Sequence, residues 1–335
     1  MSDNHSAPLF SIVIPAYNAQ RFLPLTLESI FRQTVQDFEI VVVNDGSTDG
    51  TLEMLQGISD PRLRVITQEN GGECAARNRG IREARGKYVA LLDADDAWRP
   101  NHLEIMHARI QRHEGISWFV TPVQKVAEIS EADLTMAEDR GCDITNWYLD
   151  AYIIPASSST VIERELVCSI PDLFPVGFKM FGDAIGWARL AKKHNKVAVV
   201  NANTVLYRFW EGNASTTHNT YNRGMPSDAV KAALQRHAEL YREPDCPPEA
   251  KLYYRHFALG HWRMSITSAF LPDEWHGDLA ARRHVVGAAA TRWIRLWAKV
   301  NNLTIKAMRW GVYKRKLAVE RKMRRLAKAA RIHFN

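Results

Sequence analysis

Apolar, β-branched runs recur through the first hundred residues with helical patterns between them. They are Phe10–Ala16 (FSIVIPA), Phe38–Val43 (FEIVVV), Leu63–Ile66 and Tyr88–Leu92 (YVALL). Strands apolar on both faces and separated by helices imply a parallel sheet covered on both sides. The connecting segments fit that cover. Gln20–Thr34 has helical spacing with Pro24 early, where a helix tolerates it. Thr48–Ile58 starts on Ser/Thr/Asp, Cys74–Ala84 is closed by Gly86, and His102–His113 follows Pro100. Trp118–Val126 reads as a further strand. The spacing therefore predicts an α/β fold: a Rossmann-like, mostly parallel sheet flanked by helices. Ligands of such sheets bind beyond the carboxyl ends of the strands, where the acidic and Gly-rich residues of this chain fall. No GxGxxG follows the first strand and no GxxxxGK[ST] exists, which argues against a dinucleotide site or a P-loop.

Composition narrows the class. With 335 residues, 46% hydrophobic and 24% charged, the chain has room for one large domain and an appendage and is neither disordered nor disulfide-stapled. Cys74, Cys142, Cys168 and Cys246 form no CxxC pair, which suits a reducing compartment rather than a zinc ribbon. No run reaches about 18 apolar residues and MSDNHSAPLF lacks a signal-peptide pattern, so a cytoplasmic protein is expected. The charge is divided. Residues 251–335 hold 19 Lys+Arg against 4 Asp+Glu, and the preceding 250 hold 25 against 33. An acidic body with a basic tail implies an anionic partner for the tail.

Beyond residue 126 the pattern loosens. Residues 127–150 read as a polar surface excursion, Ser157–Ser159 opens a short segment, and Gly182–His194 reads as a helix ending in Lys192, Lys193 and His194. Lys196–Tyr207 looks like a strand pair or hairpin, and the chain is helical from about residue 225.

Two segments carry chemistry. Leu91–Asp96 (LLDADD) sets Asp93, Asp95 and Asp96 just after a buried strand, where like charges need a cation or a cluster of donors. Hard oxygens there suit Mg²⁺ or Mn²⁺ with phosphate oxygens completing the shell. The alternative is a solvated acidic turn with Asp96 capping the next helix. In VVVNDGSTDGT, Asp45 follows an apolar strand and offers acceptors to a ligand; the alternative is a turn and helix cap.

Four pieces stand in order: SIVIPAYNAQRFLPLTLESIFRQT, FEIVVVNDGSTDGT, NGGECAARNRGI and GKYVALLDADD. Together they resemble the catalytic domain of a family 2 glycosyltransferase with the GT-A fold, over about residues 10–100 and more weakly to about 215. The resemblance implies an inverting, metal-assisted transfer of a sugar from a nucleotide-sugar. By the same resemblance Pro15, Ala16 and Tyr17 line the base and ribose pocket, and Asp45 accepts from the base, typically the uracil N–H. Arg77 lies near the diphosphate or supports the pocket. Asp93 and Asp95 form the DXD motif, Asp93 toward the ribose or metal and Asp95 on the metal. Asp96 is an acceptor-site residue or a cap. In FKMFGDAIGWARLAKKHNKVAVV, Asp183 takes the place of the catalytic base, while Gly182 stands where the family usually has Glu. An N-cap is the other reading of Asp183. WEGNASTT resembles a loop that closes over the donor, with Glu211 and Asn213 toward donor or acceptor and His218 as a further metal ligand.

The tail resembles no family. Leu296, Val300, Leu303, Ala307 and Trp310 share one helical face, and Val319, Met323, Leu326 and Ala330 repeat the spacing among nine Lys and Arg. Basic residues with Trp and Leu fit an anionic membrane surface, most of all in residues 311–335; a bundle packed on the catalytic domain is the alternative. No nucleic-acid motif is present. The expected organisation is a GT-A domain over residues 1–225, with a donor half at about 8–100 and an acceptor half at about 115–220, then a helical region over 226–335. The expected protein is a UDP-sugar-dependent hexosyl- or N-acetylhexosaminyltransferase using Mn²⁺ or Mg²⁺. It is expected to act on a glycan or lipid-linked glycan at the inner face of the cell membrane; the alternative is an inactive sugar-nucleotide- or glycan-binding relative.

Overall fold

The computed structural model describes residues 7–147, 155–178 and 182–209, together with residues 236, 239, 246 and 250. Residues 7–209 lie in the first of two compact units, Met1–Thr217. The chain begins β1 (Phe10–Ala16), α1 (Leu23–Phe31), β2 (Phe38–Asp45), α2 (Thr51–Gln56), β3 (Leu63–Gln68), α3 (Glu73–Glu83), β4 (Tyr88–Leu91). It continues through β5 (Ala97–Trp98), α4 (His102–Arg112), β6 (Trp118–Val120), β7 (Val123–Val126) and β8 (Cys142–Asn146). A 3-10 turn at Ser157–Ser159 leads into β9 (Thr160–Glu163), followed by α5 (Arg164–Cys168), α6 (Gly182–Lys193), β10 (Lys196–Val200) and β11 (Val205–Arg208).

Eight strands form one sheet in the order β3-β2-β1-β4-β9-β6-β10-β8. Strands β3, β2, β1 and β4 run parallel, and β6 and β10 are parallel to each other. Only β9 and β8 oppose their neighbours. The expected mostly parallel α/β sheet is thus present, and β1 and β2 are buried along their whole length. Their residues serve two layers. Phe10, Ile12 and Ile14 of β1 join Ile40 and Val42 of β2 and Leu23, Leu27 and Ile30 of α1 in one cluster. Val13 and Val43 lie on the other face, against α3, where a Cβ on Gly80 would stand 2.3 Å from Val13 Cγ1. Glycine there lets the helix approach the sheet.

Three expectations from the acceptor half are corrected. Lys196–Tyr207 is no hairpin: β10 belongs to the large sheet, whereas β11 lies in a second sheet, β5-β11-β7, that pattern reading missed. Trp118–Val126 likewise divides, β6 in the large sheet and β7 in the small one, at Pro122, which has no N–H to continue a ladder. Within the polar stretch 127–150, β8 is an edge strand paired antiparallel with β10. An edge strand with one solvated face carries too few apolar residues to stand out. Among the described residues no helix is long and apolar enough to cross a membrane. The segments beyond residue 209, the tail included, lie almost wholly outside the described residues.

Candidate active site

Parallel strands in register bring their carboxyl ends to one rim. Ala16 pairs with Asn44, Asp45 with Gln68, and Val13 with Leu91, which sets Pro15 level with Asp93. Pro15 and Ala16 are buried within the strand, whereas Tyr17, the next residue, is 52% exposed at the rim.

Asp45 ends β2 with its carboxylate buried and occupied. Oδ1 accepts from Gln68 Nε2 (2.7 Å) and from the Gly71 N–H (2.9 Å), and Oδ2 accepts from the Gly72 N–H (2.8 Å). Asp45 therefore holds the loop between β3 and α3, and Gly72 makes that turn at φ +84°, a region disfavoured for other residues. Two oxygens offer about four acceptor positions, so Oδ2 keeps one for a further donor.

Arg77 projects from α3 into the interior, its side chain 2% exposed. One terminal nitrogen donates to Asp93 Oδ1 (2.7 Å) and to Glu73, one turn earlier on the same helix. Its guanidinium lies 4.9 Å from the Phe174 ring centroid, and its buried Nε has no hydrogen-bond partner. Burial disfavours this cation, but the Glu73 and Asp93 carboxylates outweigh that and hold it charged. Burial raises the Asp93 carboxyl to about 6 against the pull of Arg77, with Glu73 and Asp95 adding repulsion.

The turn after β4 is fixed from three sides. The Asp96 N–H donates to Asp93 O (3.1 Å), and Thr26 Oγ1 of α1 donates to Ala94 O (2.9 Å) and Asp96 O (2.7 Å). Ser158 Oγ accepts from the Asp93 N–H (3.0 Å) and donates to Asp96 Oδ2 (2.5 Å). Arg208, at the end of β11, donates through its N–H to Asp96 Oδ1 (2.9 Å) and through Nε to Asp95 O (2.8 Å). Asp96 is only 1% exposed; burial, then the charges of Asp95 and Asp93, raise its carboxyl well above the usual range. It caps no helix: α4 starts at His102 with Asn101 before it. Asp95 keeps partial exposure between these two tied carboxylates.

Asp183 lies in the first turn of α6, inside the helix rather than before it, and its Oδ1 accepts from the Ala184 N–H (2.7 Å). Burial raises its carboxyl, opposed by that hydrogen bond and by Arg77 and reinforced by Glu73. Gly182 has a steric reason: a Cβ there would lie 2.5 Å from the buried Cys74 Sγ. Burial pushes the Cys74 thiol up to about 11, so it packs as a neutral group. Glu211, Asn213 and His218 lie outside the described residues.

Among the described residues no group of three His, Cys, Asp or Glu side chains is placed to hold a metal ion. A divalent ion held by one or two carboxylates and completed by phosphate oxygens needs no such cage, and Asp95 with Asp93 fits that smaller donor set. Sequence reading missed Glu73, Ser158 and Arg208. Glu73 sits one helical turn before Arg77 and was detectable as an i, i+4 ion pair. Ser158 and Arg208 carry no local signal.

The sequence model of the family described as Glycosyl transferase family 2 matches residues 11–146. The glycosyltransferase GlyG of Streptococcus pneumoniae is 30% identical over 229 residues, 62% of this chain and 73% of that protein. Further curated relatives are 39–46% identical over 91–109 residues only, and the chain spans 11–40% of their length. Among solved structures, S. aureus TarS 1–349 in complex with UDP-GlcNAc superposes with a TM-score of 0.68 at 21% identity, covering 91% of this chain and 92% of that one. The mannosyltransferase PcManGT of Pyrobaculum calidifontis, in complex with GDP-Man and Mn²⁺, superposes at 0.54 with 17% identity over 89% and 88%. At these identities the structures speak for the fold, and that fold is GT-A.

Proposed function

This chain belongs to glycosyl transferase family 2, and from that premise we propose an inverting transfer of a sugar from a UDP-sugar to a glycan hydroxyl. The observation that carries the reading is the rim of the parallel sheet. Asp45 ends β2, Asp93 and Asp95 follow β4, and the Asp183 carboxyl shares the field of Arg77 and Glu73, which border Asp93. UDP-GlcNAc in TarS and GDP-Man with Mn²⁺ in PcManGT support a nucleotide-sugar and a divalent ion.

In this reading the open acceptor position on Asp45 receives the N–H of the base, and exposed Tyr17 with Pro15 and Ala16 borders the nucleoside. Asp95, with Asp93 beside it, holds Mn²⁺ or Mg²⁺, which when bound neutralises charge on the departing diphosphate. Arg77 holds Asp93 in place rather than reaching the diphosphate, because both its salt-bridge partners are carboxylates of the chain. Asp183 takes the acceptor proton as the new glycosidic bond forms and the bond to the diphosphate breaks. Burial makes it a stronger base than an exposed carboxylate. The acceptor is a surface polysaccharide or lipid-linked glycan, an hexosyl or N-acetylhexosaminyl unit is moved, and residues 311–335 hold the enzyme on an anionic membrane surface.

The test is hydrolysis and transfer across a panel of nucleotide-sugars, with and without Mn²⁺. One donor turned over with metal, and a fall of about 10²-fold or more in Asp183→Asn and Asp95→Ala, is expected. No binding of any nucleotide-sugar would overturn the reading.

A further inference from the structure

Nothing in the motif pattern assigns a role to Ser158, yet its hydroxyl touches the carboxylate turn at two points. It accepts from the Asp93 N–H at 3.0 Å and donates to Asp96 Oδ2 at 2.5 Å. Ser158 is itself fully buried, and its carbonyl accepts from Trp98 Nε1 at 2.7 Å, so it has little freedom of its own. The topology explains its location. β9 runs antiparallel to β4, with Ala90 opposite Val161, so the turn that opens β9 stands beside the carboxyl end of β4. An antiparallel strand begins where its neighbour ends.

We propose that Ser158 is a positioning residue for the metal carboxylate, acting through Asp96, with Arg208 as the opposing half of the same device. Asp95 lies between the two points Ser158 holds, the amide of Asp93 and the carboxylate of Asp96. Arg208 closes the other side through the second oxygen of Asp96 and the carbonyl of Asp95. Asp96 is thus a joint between the donor half and the acceptor half, with both oxygens engaged inside the protein, and not a metal ligand. The inference rests on the reading of Asp95 as the metal ligand.

Two measurements on the full-length protein test it. Mn²⁺ uptake in the presence of UDP, followed by the EPR signal of free Mn²⁺, should weaken about 10–100-fold in Ser158→Ala. Asp96→Asn should weaken it similarly, and the double variant should lose little more than either single one. Amide hydrogen exchange at Asp93–Asp96, which needs no metal, should accelerate in Ser158→Ala while β1 and β2 keep their protection. Mn²⁺ uptake within about twofold of wild type in a folded Ser158→Ala would overturn the proposal. So would unchanged exchange at the turn, or loss of Mn²⁺ in Asp96→Asn alone, which would make Asp96 a ligand. A wild-type protein that takes up no Mn²⁺ would overturn the metal reading, and the positioning role with it, even if exchange showed that Ser158 holds the turn.

Discussion

Arg77 shows how one residue serves stability and site together. A guanidinium 2% exposed is tolerable only because Glu73 and Asp93 surround it, and it in turn is the charge that steadies Asp93. Removing one partner of a buried pair leaves the other uncompensated, which typically costs about 3–5 kcal/mol. Arg77→Ala should lose stability toward the lower end of that range, because the Asp93 side chain keeps 24% exposure and water screens it in part. Urea denaturation reads it directly. The sequence showed Arg77 as a motif position and left two roles open. The packing favours the supporting role proposed above, because α3 turns this side chain inward against Phe174.

At the scale of elements, α3 on the central sheet sets the rim. Its first two turns carry Glu73, Cys74 and Arg77, and Asp45 fixes its start through the Gly71 and Gly72 amides. Gly80 is what lets the helix settle at that depth. Gly80→Val would drive a branched side chain into Val13, and overpacking of this kind costs about 1–3 kcal/mol. The change should lower the denaturation midpoint and raise the KM for the donor, because α3 can relieve the clash only by moving away from β1. Steady-state kinetics on the folded variant check the second part. The helices and main strands of residues 10–91 were legible because β1, β2 and β4 are apolar runs buried along their length and the segments between them have helical spacing. β5 and β8 were not, nor was the second sheet that β7 and β11 join, because two- to five-residue strands at edges or in a small sheet carry little period of their own.

At the scale of the whole molecule, His102 ties α4 to the small sheet. It begins α4, stacks on Trp98 of β5 with ring centroids 4.2 Å apart, and its Nδ1 lies 2.7 Å from Thr204 Oγ1, just before β11. Its Nε2 is buried with no partner, and burial pushes the imidazolium down to about 3. An unfolded histidine titrates near 6.5, so between about 6.5 and 3 the unfolded chain binds a proton that the folded one refuses. The contribution is fully present above about 6.5 and is lost as the pH falls toward 3. Stability should drop by about 2 kcal/mol from this group between pH 7 and 5, and His102→Leu should flatten that slope in urea titrations. The divided charge of the chain leads to a further expectation. Deleting residues 311–335 should release the protein from anionic liposomes while leaving sugar transfer to a soluble acceptor intact; equal binding with and without the tail would refute membrane attachment.

The sequence by itself determined the kind of fold and the rim on which chemistry would sit. Strands apolar on both faces and separated by helices imply a covered parallel sheet, and the carboxylates follow those strands within a few residues. It also determined the family, because four motif pieces stand in order along the chain. Tertiary structure alone decided how each carboxylate is held. Asp93, Asp95 and Asp96 are neighbours on paper, and nothing local separates them. They are distinguished by partners 16, 62 and 112 residues distant, Arg77, Ser158 and Arg208, which hold Asp93 and Asp96 on either side of Asp95. Hydrogen bonds of that span follow from strand order and register, quantities that no short stretch of sequence encodes.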